Sequence, residues 1–135
     1  MKTNPTHRVV VTGMGAITPL GNSVPAFWDG MLAGRSGVRL ATRYDIADFP
    51  YVIAAEVRDF EPREYMDAKA ARRMARFAQF AVAAAGEALR DSGLDLERLD
   101  RSRVAVDIGT SLGGTANVEE QIQAFVAKGR KRVAV

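Results

Sequence analysis

The chain has 135 residues, 47% hydrophobic and 26% charged, with 19 basic against 16 acidic side chains for a net charge of +3. That is one domain's worth of ordinary globular composition, long enough to bury a core. It holds no cysteine and one histidine, His7, which excludes from these residues a disulfide framework, a thiolate metal site and a thiol nucleophile.

The leading MKTNPTHR lacks the apolar run of a signal peptide, and no apolar stretch nears membrane-spanning length; a cytoplasmic protein with no membrane partner is expected. Val9 to Gly13 reads as a buried strand emptying into a bend made by Gly13, Gly15, Pro19, Gly21 and Asn22. A dinucleotide-binding loop needs G-x-G-x-x-G running straight into a helix. Here Thr18 stands at the third position and Pro19 follows it, and a residue before proline avoids helical backbone. The next helix signal is Ser23, an N-cap for a helix over Val24–Ala33 that stops at Gly34. That leaves no helix N-terminus at a phosphate, and the glycines are assigned to the turn and to close packing.

Residues 35–64 read as irregular, with Ile53–Phe60 as a short strand. Asp67 to Ser92 is predicted as one long helix stopped by Gly93, with Met74, Phe77, Ala78, Ala81, Val82, Ala85 and Leu89 on an apolar face. Small residues around that face predict cover on more than one side, and Gly86 within it predicts packing that compensates for its poor helix propensity. Val104 to Ile108 is predicted as a second strand, GTSLGG (109–114) as a turn, and Val118 to Lys128 as a third helix ending at Gly129. Strand, helix and strand in this order predict a parallel pair with a right-handed crossover.

Lys69, Arg72, Arg73 and Arg76 fall at steps of three and four, a basic stripe at the front of the long helix, and Lys128, Arg130, Lys131 and Arg132 cluster near the end of the chain. Cations at a helix start are mildly unfavourable against its dipole, so a solvated face offers no local reason for them. No aromatic interleaving or recognition motif accompanies them, and nucleic acid is not expected as a partner. Glu87, Asp91, Asp95 and Glu97 read as solvated acids.

The stretches RVVVTGMGAITPLGN (8–22), FWDGMLAGRSGVR (27–39), TRYDIADFP (42–50), AAEVRDFEP (54–62), ARRMARFAQFAVAAAGEALRDSGLD (71–95) and RVAVDIGTSLGG (103–114) resemble, in order, blocks of the β-ketoacyl-ACP synthase II family, the condensing enzymes of fatty-acid synthesis. The resemblance implies an α/β, partial thiolase-like fold: the N-terminal part of a layered α/β/α ketoacyl synthase domain, with 1–135 truncated before the nucleophile region. In that family a cysteine attacks an acyl thioester, and the bound acyl group condenses with malonyl-ACP after decarboxylation, assisted by two histidines and a lysine; no cofactor or metal is called for. His7 matches none of these positions, so this stretch alone is expected to be inactive. By the resemblance Lys69, Arg72, Arg73, Lys131 and Arg132 are candidate contacts to acyl carrier protein, and Leu112 bounds the acyl pocket. A homodimer is implied for the full-length family.

Two departures from the family pattern stand out. Asp107 replaces an apolar residue in the second strand, where a buried carboxylate is costly, and Ala75 replaces an acid among the basic residues of the long helix. Two function classes follow: a condensing acyltransferase, of fatty-acid or polyketide synthesis, or a non-catalytic, chain-length-factor-like partner subunit of a polyketide synthase.

Overall fold

The computed structural model describes residues 8–130. Its elements run α1 (Val24–Leu32), β1 (Val38–Leu40), β2 (Ile53–Ala55), α2 (Ala68–Arg73), α3 (Arg76–Ser92) and α4 (Thr115–Lys128), with 3-10 turns at Pro62–Glu64 and Arg101–Arg103. The helix boundaries follow local signals. Ser23 caps α1 by accepting the Ala26 N–H, and Gly34 (φ +62°), Gly93 (φ +63°) and Gly129 (φ +72°) take the backbone out of helix behind α1, α3 and α4.

The strands differ from expectation. β1 and β2 pair antiparallel, Val38 with Ala55 and Leu40 with Ile53, so a strand also exists at 38–40, within the region read as irregular. Residues 9–13 and 104–108 are not strands, and no parallel pair forms among the described residues. The reason is physical: a strand is defined by its ladder to a neighbour, and neither segment has a neighbouring strand among the described residues. Asp107 is consequently exposed to solvent, and the desolvation expected of it does not arise.

The single long helix is in fact two. Met74 (ψ 136°) and Ala75 (ψ 152°) are extended and separate α2 from α3. The packed side of α3 is also not the expected apolar stripe, since Phe77, Val82 and Leu89 remain substantially exposed. It is the row through Phe80, Ala83, Ala84, Glu87, Ala88 and Asp91. Ala83 is the most enclosed residue of the core, 1% exposed, and the backbone of 13–16 lies over Ala84 and Ala88. A Cβ on Gly15 would fall 1.9 Å from the Ala84 carbonyl oxygen, and one on Gly13 2.2 Å from that of Ala88. These two glycines serve close approach, as read from the sequence. Gly86 does not: a Cβ there would meet only the Arg90 guanidinium at 3.4 Å.

Two acids expected to be solvated fasten this contact. Glu87 accepts the amide N–H of Ala16 on one oxygen and that of Val24 on the other, both at 2.8 Å, and Asp91 accepts that of Met14 at 2.9 Å. Carboxylates one helical turn apart thereby hold the N-terminal segment and the start of α1 against α3.

A second centre forms around Phe60, which stacks on Tyr65 (5.1 Å, 7°) and meets Phe80 edge-on (4.9 Å, 86°). Aromatic pairs in such geometries add about 0.5–1.5 kcal/mol beyond their buried area. The Arg76 guanidinium lies 5.5 Å from the Phe60 ring centre and 4.9 Å from that of Phe80, and donates to the Val57 carbonyl at 3.0 Å. Burial and nearby Arg43 push Arg76 below its ordinary value, against the pull of Glu56, yet an arginine remains charged. Arg76 therefore leaves the predicted basic stripe and serves the core.

Candidate functional site

α2 has only six residues, too short to persist without help. Its start is held by Asp67, whose carboxylate accepts the N–H groups of Lys69 (2.9 Å) and Ala70 (3.0 Å). Those two amides, first Ala70 and then Lys69, hold the Asp67 carboxyl below its usual range, with Arg72 adding to the effect. Its end is held from outside the helix by Gln79 of α3, whose side-chain amide donates to the carbonyls of Ala71 (2.8 Å) and Met74 (3.3 Å). α2 also rests against the turn at Pro62–Glu64.

On this short helix Lys69, Arg72 and Arg73 are exposed, and their spacing places them on one face. Because the helix ends at Arg73, Arg72 and Arg73 sit in its last turn, where the dipole favours cations. The objection that cations crowd a helix start therefore disappears for Arg72 and Arg73 with the break at Met74, while Lys69 stays in the first turn of α2. None of the three forms an ion pair among the described residues. They make a compact, exposed cationic patch.

The turn bearing Leu112 sits at the other side of this junction. A Cβ on Gly113 would come within 2.9 Å of the Phe77 ring, and one on Gly114 within 3.4 Å of that ring and 3.7 Å of the Ala75 Cβ. The turn thus lies against the start of α3, just past the α2–α3 break. Leu112 itself is 79% exposed and lines an open groove of about 530 Å³ with Val118 and Ile122 of α4. An apolar side chain in the open at the mouth of an apolar groove is available to a further apolar surface.

The structure brings together Lys69, Arg72 and Arg73, and places Leu112 across the same junction. Lys128 and Arg130 are exposed at and beyond the end of α4; Lys131 and Arg132 lie outside the described residues, as does His7. Reading by sequence missed the two supports of the basic helix. Asp67 carried a visible cap signal, an acid before an alanine-rich run, but Gln79 carried none, because an amide in mid-helix looks like a solvated position.

Known proteins resemble this chain over nearly its whole length. Residues 6–134 match the family model for the β-ketoacyl synthase N-terminal domain. The 3-oxoacyl-[acyl-carrier-protein] synthase 2 of Coxiella burnetii is 43% identical over 128 residues, covering 95% of this chain and 31% of its own length. That of Synechocystis is 42% identical over 125 residues, covering 93% and 30%. Among solved structures, the ishigamide ketosynthase/chain length factor superposes with a TM-score of 0.79 at 34% identity, over 93% of this chain and 31% of that one. A type II PKS acyl-carrier protein in complex with its ketosynthase bound to the hexaketide gives 0.70 at 26% identity, over 93% and 32%. The chain spans about 31% of the length of these relatives. Its mixed α/β fold is that of part of a thiolase-like ketosynthase domain, and the chain belongs to the β-ketoacyl synthase family.

Proposed function

We propose that the protein carrying these residues is a β-ketoacyl-ACP synthase, and that residues 1–135 contribute its carrier-docking helix and an apolar turn beside the acyl chain. In the family's reaction a cysteine thiolate attacks the acyl thioester and expels the carrier thiolate. Loss of CO2 from malonyl-ACP then leaves a carbanion that attacks the acyl-enzyme, forms the carbon–carbon bond and returns the cysteine. Residues 1–135 hold no cysteine and only His7, so on this reading the nucleophile and its partners are supplied from outside them, and the stretch alone is inactive.

The observation that carries the proposal is the exposed cationic face of Lys69, Arg72 and Arg73 on a helix fastened at both ends. An acidic carrier is drawn to such a face, chiefly through faster association. A neighbour solved with its acyl-carrier protein supports a carrier as partner. Lys131 and Arg132, outside the described residues, belong to the same proposal. The test is association of an acidic acyl carrier protein with the Arg72→Glu/Arg73→Glu double variant. The association rate is expected to fall about tenfold or more at low salt and to lose most of its salt dependence. Unchanged association in the double variant would overturn the docking role.

A second reading, a chain-length-factor-like partner subunit, is favoured by the likeness to the ishigamide ketosynthase/chain length factor. The residue at the nucleophile position, in the coding sequence after residue 135, separates the two. A cysteine there supports the enzyme, and any other residue supports the non-catalytic subunit.

A further inference from the structure

We infer that Gln79 is a positioning residue for carrier docking, acting through α2. The inference rests on the docking role proposed for that helix. A helix end leaves its last carbonyls without partners inside the helix. α2 ends in a break rather than a glycine cap: Met74 and Ala75 are both extended, and the chain turns there into α3. The Met74 N–H closes onto Ala70 at 3.1 Å. The carbonyls of Ala71 and Met74 are met from across the break by one side-chain amide, that of Gln79, at 2.8 and 3.3 Å. Gln79 is half-buried in the second turn of α3, so its amide is held by the longer helix and its two bonds transfer that rigidity to the shorter one.

The consequence falls on Lys69, Arg72 and Arg73. All three project from a six-residue element whose pose depends on Asp67 at one end and Gln79 at the other. Removing Asp67 would change charge and helix content together. Gln79 is neutral and lies outside the helix, so it sets the pose of the cations without contributing to their field. A pre-set pose means that less ordering is required when an acidic partner binds, which slows dissociation. Charge governs the approach; Gln79 governs how well the docked cations fit.

The two roles separate kinetically. Association and dissociation of an acidic acyl carrier protein are measured by stopped-flow on the intact protein across a range of salt. Gln79→Met keeps the side chain's length and neutrality but donates nothing. It is expected to raise the dissociation rate about three- to tenfold, the size of one net hydrogen bond, with the salt slope of association unchanged. Gln79→Asn, which withdraws the amide by one carbon, is expected to do the same and serves if the methionine variant does not fold. Dissociation unchanged in both loss variants, while Arg72→Glu/Arg73→Glu abolishes the salt-dependent approach, would overturn the role of Gln79 and leave docking intact. Binding unchanged in the charge-reversed variant would remove docking and this inference with it.

Discussion

At the scale of single residues, Gly15 and Gly86 show how differently one residue type is used. Gly15 has the Ala84 carbonyl where its Cβ would be, 1.9 Å away, and neither backbone has room to move without disturbing the Glu87 bonds to Ala16 and Val24. Gly15→Ala is expected to destabilise the fold by about 1–3 kcal/mol, the usual range for overpacking. Gly86 faces only the end of a flexible arginine, so Gly86→Ala is expected to stabilise α3 by about 0.5–1 kcal/mol through helix propensity alone. Denaturant midpoints of the two variants test the contrast, and a shift of the same sign in both would contradict it. The tight packing of 13–15 was legible from Gly13 and Gly15, since glycines beside an apolar run have few other uses. The roles of Glu87 and Asp91 were not. The amides they hold lie 63, 71 and 77 residues earlier in the chain, and nothing local to an acid four residues from another distinguishes a fastening from a solvated face.

The same division between local and distant causes runs through the elements. α1, α3 and α4 end where glycines end them, because a left-handed C′ residue is a property of a few neighbouring positions. The break at Met74 was hidden because the apolar period continues across it. Gln79 meets the Ala71 and Met74 carbonyls from across that junction, a contact no periodicity registers. The break also explains the value of position 75. Ala75 is the N-cap of α3, with extended backbone (φ −62°, ψ 152°), and provides no side-chain acceptor to the first amides of the helix. Asp67, in similar backbone at the start of α2, accepts two. Ala75→Asp is therefore expected to stabilise α3 by about 0.5–2 kcal/mol, the cost of a missing cap run in reverse. A rise in melting temperature, together with slower exchange of the Phe77 and Ala78 amides, is the measurement. An unchanged or lower melting temperature would show that the turn at Gly113–Gly114, packed against Ala75, cannot admit the larger side chain.

For the molecule as a whole, the decisive quantity is apolar surface without cover. Val9 is 94% exposed and Val106 84% exposed, and Val10, Val11 and Ile108 lie open with them. These are the two β-branched runs read as strands, and their composition suits a buried sheet while their surroundings supply none. Helices α1 and α4, which follow these runs, were legible, but the alternation of strand and helix was not, since neither run is a strand among the described residues. The sheet was not legible either, because pairing depends on partners that a run of valines cannot name. Two apolar runs with free backbone donors and acceptors are templates for pairing with another chain. Residues 1–135 produced on their own are therefore expected to self-associate and to bind a hydrophobic dye such as ANS. A lysine at Val10 and another at Val106 should each reduce association, because an edge charge opposes strand pairing, while leaving the Glu87 and Asp91 fastenings untouched. Sedimentation velocity with concentration tests this. A monodisperse, cooperatively unfolding monomer would mean that the described helices and the Phe60 centre suffice as a folding unit. Concentration-dependent association relieved by either lysine would place the missing cover at the two valine runs, leaving the basic helix and its supports as the part of the fold already complete.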